Sequence, residues 1–337
     1  MNFVDKFLQE HFDEFALDRY GLGKNWETLL LTPRFATSRH VVALVFPAGE
    51  REPALVVKVP RQPGDNSGVR REAGMLAQLR AAVGSPGAGV PLLVGIEDVG
   101  PFTVLVETAL TGLPLDPRTV AADLPAAVAT GTEFVGALPC TQAAAGNADW
   151  YQRAVTAPLE ALVGLAGMDA QTCQIVERTH QLLAPLREAQ LPAVIEHGDL
   201  SHPNLLVKPG AGLQVMDWER SLTHGVPGHD LVFYLQYLSE SNEQAFVREA
   251  QTAAFDKAFG PGGWALEPLS RHLGMRGVDQ SLLPLLVVAT WARSTATLAD
   301  RLAQEAEADP SQGTGKVRAT LVADRDFWLW RHALEAA

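Results

Sequence analysis

The chain has 337 residues, 47% hydrophobic and 20% charged, which is more than one ordinary domain and enough for a sizeable core. A net charge of −12 argues against the basic face that nucleic acid requires. Two cysteines, Cys140 and Cys173, are too few for a disulfide framework and too far apart for a zinc-ligand spacing, and they suit a reducing cytosol.

Residues 2–20 read as an amphipathic helix, with Phe3, Val4, Phe7, Leu8, Phe12 and Phe15 recurring between charged residues as a packing stripe. Five carboxylates, Asp5, Glu10, Asp13, Glu14 and Asp18, keep this stretch from reading as a secretory signal. The longest apolar run, Leu282 to Trp291, is about half of what a bilayer crossing needs, so no span is expected.

Three strand patterns follow, over 27–31, 41–46 and 54–59. The loop Thr32 to His40 between the first two contains Thr37 and Ser38 and has no glycine. The third strand, Leu55-Val56-Val57-Lys58-Val59, places a lysine in an apolar run. An unpaired buried ammonium is costly, so Lys58 either faces solvent or has a carboxylate partner. The next pattern, a helix over 69–79, offers Glu72. Strands over 91–96 and 102–107 lead into Thr108 to Leu115, a turn-rich junction where composition shifts. Residues 1–107 hold 11 Lys and Arg against 13 Asp and Glu, whereas residues 108–337 hold 16 against 26. The junction predicts two domains, 1–107 and 108–337.

From 116 to 190 the pattern is helical and Ala-rich, with helices expected over 122–138, 149–165 and 170–188, broken by Pro139, Gly146 and Gly167. Further helices are expected near 243–258, 281–306 and 317–334. No internal repeat is present, and both cysteines read as packing residues.

Between these helical blocks lies Val194-Ile195-Glu196-His197-Gly198-Asp199-Leu200-Ser201-His202-Pro203-Asn204-Leu205-Leu206-Val207. Two apolar runs flank a polar loop, and the strand pattern 213–216 then delivers Asp217. When a nucleotide's phosphoryl group passes to a hydroxyl, an Asp accepts the hydroxyl proton while an Asn and a second Asp hold metal. Such hard oxygen ligands suit Mg²⁺. Either residue alone is more often a turn or cap residue, but the joint pattern is far more restrictive.

The residues His197-Gly198-Asp199-Leu200 with Asn204, then Asp217-Trp218-Glu219, then Gly225, Pro227 and Asp230, resemble the aminoglycoside phosphotransferase and choline kinase branch of the protein-kinase-like fold. The resemblance implies an α+β, two-lobed architecture, with a small antiparallel sheet and one main helix in the N-lobe and a mostly helical C-lobe. It implies ATP or GTP as co-substrate with Mg²⁺, Asp199 as catalytic base, and Asn204 and Asp217 as metal ligands. Lys58 then holds the α- and β-phosphates, oriented by Glu72, with Thr37 and Ser38 over the phosphates. Backbone groups of the hinge, Glu107 and Ala109 among them, bind the base, and Val56, Leu105 and Leu206 are candidate walls that read equally as core. His197, His202, Trp218 and Glu219 are implied supports, and Asp230 ties a helix start to the catalytic loop.

Gly198 stands where protein kinases place an Arg, and the stretch after Asp217 is short, which points to a constitutively assembled small-molecule kinase. Its partners would be a nucleotide and a small hydroxylated acceptor, with no nucleic acid and no membrane, in the cytoplasm. The acidic second domain favours an amino sugar or aminoglycoside, with a neutral sugar, nucleoside or choline-like alcohol as alternatives. Two other classes compete. One is an inactive kinase-like binding module, suggested by the glycine-free loop. The other is a hydrolase using Asp199 and His197, which leaves Lys58, Glu72 and Asn204 without a task.

Overall fold

The computed structural model describes residues 2–31, 39–83, 89–165, 169–308 and 313–337. In chain order the elements are α1 (Phe3–Glu10), β1 (Trp26–Leu31), β2 (His40–Pro47), β3 (Leu55–Pro60), α2 (Ser67–Val83), β4 (Leu93–Val99), β5 (Phe102–Thr108) and β6 (Leu113–Pro114). Then come α3 (Pro117–Ala122), α4 (Leu124–Ala137), β7 (Cys140–Gln142), α5 (Ala157–Gly164), α6 (Ala170–Leu183), β8 (Ala193–Glu196), β9 (Leu205–Lys208), β10 (Gly212–Val215) and β11 (Leu222–Gly225). The chain ends in α7 (His229–Asn242), α8 (Arg248–Phe259), α9 (Leu266–Met275), α10 (Leu283–Ala308), α11 (Gly313–Ala323) and α12 (Arg325–Ala336).

These elements form two compact units, Met1–Leu115 with His202–Ser221, and Asp116–Ser201 with Leu222–Ala337. The first is built on an antiparallel sheet in the order β1-β2-β3-β5-β4. Side chains alternate across a strand, and here both faces are covered. Ala43, Val45, Leu55, Val57, Val104 and Val106 meet Val4, Phe7 and Leu8 of α1, together with Phe15 and Leu17. On the other face Leu105 packs against Val69 and Ala73 of α2. The hairpin β9–β10 belongs to the same unit, because β9 also pairs with β6 and Leu115 donates its N–H to the Leu205 carbonyl.

The second unit is helical around a short sheet in the order β11-β8-β7. The helix α10 is long and apolar enough to cross a membrane by length and composition, more than the run 282–291 suggests. Yet 67% of that stretch is buried, and α10 packs against α5, α7, α11 and α12 as a core helix does.

Other sequence expectations need adjustment. The helix expected over 2–20 stops at Glu10 and gives way to turns and a short 3₁₀ segment, Leu17–Tyr20, bounded by left-handed backbone at Ala16 and Gly21 that no α-helix continues. The helix expected over 122–138 is α4, capped at its N-terminus by Asp123 with a proline in its first turn, and a separate short helix, α3, capped by Asp116, precedes it. Cys140 is not a packing residue: it is exposed on β7, with the Arg276 guanidinium 3.2 Å from its sulfur.

Candidate functional site

The first unit gathers the residues assigned to the nucleotide. Lys58 stands opposite Leu105 in the β3–β5 ladder, on the sheet face that α2 covers. It is 7% exposed, and its partner Glu72, on α2, is fully buried. The Lys58 Nζ lies 2.6 Å from Glu72 Oε1. The same Glu72 oxygen accepts the Trp218 N–H at 2.9 Å, so one carboxylate ties the sheet lysine to the segment after Asp217.

A second carboxylate also reaches the lysine. Glu107, 2% exposed at the end of β5, brings Oε1 to 3.1 Å from Lys58 Nζ. Burial alone would lower the Lys58 ammonium, but Glu107 and Glu72 outweigh it and hold the lysine well above its ordinary value. One cation cannot fully compensate two carboxylates. Burial accordingly pushes Glu107 up to about 7, against the pull of Lys58.

Asn204 precedes β9 and Asp217 follows β10, so the hairpin returns the chain to where it left, and the Met216 N–H donates to the Asn204 carbonyl at 2.9 Å. Asp217 takes φ 65° and ψ 69°, a left-handed conformation uncommon outside glycine and often found at functional positions. The Trp218 side chain anchors this turn, buried completely with Nε1 donating to the Val215 carbonyl. Nearby, Glu219 lies 3.5 Å from His40 on β2. Burial, then Asp217 and Glu72, push Glu219 up to about 7, while burial and Lys58 lower His40.

No group of three or more His, Cys, Asp or Glu side chains able to hold a metal occurs among the described residues. Asn204 and Asp217 instead offer one amide and one carboxylate oxygen donor. That sparse, hard set fits Mg²⁺, which takes its remaining ligands from phosphate and water.

The second unit supplies the loop that the sequence assigns to catalysis. Strand β8 is buried along its whole length and ends at Glu196, directly before His197-Gly198-Asp199. Gly198 has φ 80°, where a side chain would be strained. Asp230, in the first turn of α7, accepts the N–H of His197 at 2.7 Å and of Gly198 at 2.9 Å. His197 is buried, and its Nδ1 accepts the Asp199 N–H at 3.2 Å, the geometry of a support beneath the loop. Ser201 donates its N–H to the Asp199 carbonyl.

Behind the loop lies a charge pair that sequence reasoning missed. Glu196 Oε1 is 2.5 Å from Arg293 Nη2 on α10, and Glu196 Oε2 accepts the Val226 N–H at 3.1 Å. Burial raises Glu196, but Arg293 and then His229 outweigh it and leave the carboxyl below its ordinary value. Burial, aided by Arg293, takes His229 down to about 4, so this histidine is neutral. Burial and the adjacent Glu196 push Asp230 up to about 7. Gly225 leaves the space this needs, since a Cβ there would stand 2.4 Å from the Glu196 Cβ.

The remaining sequence candidates divide. Thr37 and Ser38 lie outside the described residues. The Ala109 N–H donates to the Ala54 carbonyl at 2.9 Å and so is engaged within the sheet. Leu105 is core beneath α2, whereas Val56 and Leu206 are only half-buried. The side chain of Glu107, rather than its backbone, is what reaches the cluster, and a sequence signal for it existed. An acid ends an otherwise apolar strand, two residues after Leu105 and therefore on the same face.

Among solved structures the chain is similar to the GDP complex of aminoglycoside 2'-phosphotransferase-IIIa, at 14% identity, TM-score 0.57 and coverage of 97% of this chain and 98% of that one. It is also similar to the choline kinase LicA from Streptococcus pneumoniae, at 10% identity, TM-score 0.52 and full coverage of both chains. These likenesses show the kinase-like α+β fold. No curated protein matches significantly in sequence. The model of the phosphotransferase enzyme family matches residues 39–266, which spans β2 to the start of α9 and takes in Lys58, Glu72, Asp199, Asn204 and Asp217, and the chain belongs to that family.

Proposed function

We propose that this phosphotransferase is a cytoplasmic small-molecule kinase that moves the γ-phosphoryl group of ATP, or of GTP, to a hydroxyl of an amine-bearing acceptor such as an amino sugar or aminoglycoside. The observation that carries the kinase reading is Glu72, whose one oxygen engages both Lys58 and the Trp218 N–H. That arrangement fixes a phosphate-binding lysine relative to the Asp217 turn, which suits catalysis by positioning and charge neutralisation.

In this reading Asp199 orients the acceptor hydroxyl and takes its proton. The hydroxyl oxygen forms a bond to the γ-phosphorus as the bond from that phosphorus to the β,γ-bridging oxygen breaks, giving a phosphate ester and a nucleoside diphosphate. Lys58 holds phosphate oxygens through the remaining direction of its ammonium. Asn204 and Asp217 would hold Mg²⁺, which when bound offsets phosphate charge. Asp199 and Asn204 are five residues apart, so the chain keeps base and metal ligand within about 18 Å in any conformation. A hydrolase reading leaves the buried Lys58–Glu72 pair without a purpose, and an inactive binding module has no need of Asp199.

The amine on the acceptor rests on the surplus of ten carboxylates in residues 108–337, which would concentrate a cation near that part of the chain. The test measures MgATP- and MgGTP-dependent release of nucleoside diphosphate over a panel of amino sugars, aminoglycosides, choline, neutral sugars and nucleosides. An amine should lead the panel, and its kcat/KM should fall as salt takes the Debye length from about 30 Å to about 8 Å. A neutral acceptor that leads with a salt-independent kcat/KM would overturn the amine. Absence of turnover with every acceptor, alongside tight MgATP binding, would favour the inactive module.

A further inference from the structure

We propose that Glu107 is a positioning residue for Lys58, holding the ammonium from β5 while Glu72 holds it from α2, and that its charge sets how strongly the lysine engages nucleotide phosphate. The proposal rests on the kinase reading above and concerns a side chain which that reading does not use.

The geometry gives the ammonium two carboxylate partners on different elements, Glu72 Oε1 at 2.6 Å and Glu107 Oε1 at 3.1 Å. An ammonium has three N–H donors, so two point at protein and one is left for a phosphate oxygen. Glu107 shares its sheet face with Lys58, because Val56 pairs with Glu107 and Lys58 with Leu105 in one ladder. The second oxygen of each acid, Glu72 Oε2 and Glu107 Oε2, is buried without a hydrogen-bond partner among the described residues. The charged groups acting on Glu107 are Lys58 on β3, Glu72 on α2 and Asp217 after β10, one cation against two further acids.

Adding phosphate to a cluster already short of positive charge sets Glu107 against the nucleotide. Ionised, its carboxylate competes with phosphate for Lys58 and repels it. Protonated, it still accepts a hydrogen bond through its carbonyl oxygen, so Lys58 stays in place while more of its charge serves the phosphates. Burial places this exchange at about pH 7. Binding and protonation are reciprocally linked, so nucleotide that raises the Glu107 value by one unit is bound about tenfold more tightly by the protonated form.

The experiment is calorimetric titration of the full chain with MgATP from about pH 6 to about pH 8, one unit either side of the exchange, which needs no acceptor. For the native protein Kd should rise several-fold, up to about tenfold, across this range. Glu107→Gln keeps the acceptor oxygen and removes the charge, so it should bind more tightly than the native protein at the alkaline end and lose most of the slope. Glu107→Leu, which also removes the hold, should bind more weakly than Glu107→Gln at every pH. Protonation of MgATP itself is common to all three and cancels. A Glu107→Gln slope equal to the native slope would overturn the proposal and leave the kinase reading intact. No MgATP binding by native protein at any pH would overturn both. Should Glu107→Leu not fold, the Glu107→Gln slope alone decides.

Discussion

Two buried ionic clusters, one in each unit, differ in how completely they are satisfied. Around Lys58 one ammonium meets two carboxylates, and Glu72 Oε2, Glu107 Oε2 and His40 Nε2 are buried without hydrogen-bond partners among the described residues. Behind the His197–Asp199 loop the hydrogen bonds are matched, although one guanidinium again faces two carboxylates and burial with Glu196 pushes Asp230 up to about 7. Glu196 gives one oxygen to Arg293 and the other to the Val226 N–H, and Asp230 gives both of its oxygens to loop N–H groups. Buried polar atoms in folded proteins nearly always have partners, so a cluster left short among the described residues is a candidate for completion by a ligand. On the proposed function, the first cluster is where charge is exchanged with nucleotide, and the second is scaffold that fixes where Asp199 stands.

The sharpest way to break this division is to compare one residue from each side. Asp199→Ala should lower kcat by about 10²- to 10⁴-fold, the usual consequence of removing a positioned base, while MgATP affinity measured by calorimetry stays near native. Asp217→Asn should weaken MgATP affinity itself. Identical signatures in the two variants would mean that binding and proton transfer are not divided in this way.

A smaller effect concerns stability. Arg293→Met leaves Glu196 buried without its cation, and breaking such a pair costs about 3–5 kcal/mol. Glu196→Gln combined with Arg293→Met should recover much of that loss in urea unfolding, because no uncompensated charge remains. Lys58→Met should cost less than Arg293→Met, since Glu107, already pushed up to about 7, readily takes a proton when the cation goes. Equal losses for Lys58→Met and Arg293→Met would erase the distinction between an exchanging cluster and a matched one.

The sequence made the elements of the first cluster legible because their signals are local. A lysine in an apolar strand followed by a helix with one central Glu predicts a pair, and the structure places Lys58 and Glu72 at 2.6 Å. The motif from His197 to Asp217 was similarly readable, with its strand, loop and hairpin in the expected order. What escaped was long-range. Arg293 lies 97 residues from Glu196 in a helix whose pattern announces only a core face. The same holds for His40 and Glu219, joined only by folding. Strands β6, β7 and β11 have two to four residues, too few for an alternation to register. Alternation puts Glu107 on the face of Leu105, but that this face also holds Lys58 depends on register with β3, which periodicity alone does not supply.

The smallest effect is a pH dependence of stability that only the first cluster should lend to Glu107→Gln. The folded-state value of Glu107 is raised from its ordinary 4.5 to about 7, so between these limits the folded protein binds this proton more readily than the unfolded chain. Its stabilising contribution is complete below about pH 4.5 and is lost as pH rises through about 7. At about 1.4 kcal/mol per unit the whole effect is at most about 3 kcal/mol, and the shared charge of Lys58 reduces what one substitution can reveal. Other groups add to the profile: Glu219 and Asp230, also pushed up to about 7, act in the same sense, and His229 in the opposite one. His229, lowered from 6.5 to about 4, contributes stability above pH 6.5 that is lost as pH falls through about 4. The measurement is therefore the difference between native protein and Glu107→Gln, in urea unfolding at about pH 5 and about pH 8, on either side of the Glu107 exchange. Native protein should lose more stability than Glu107→Gln over that interval. A difference of zero would mean that Lys58 keeps Glu107 ionised throughout, and that the lysine cluster is a matched scaffold like the one around Arg293.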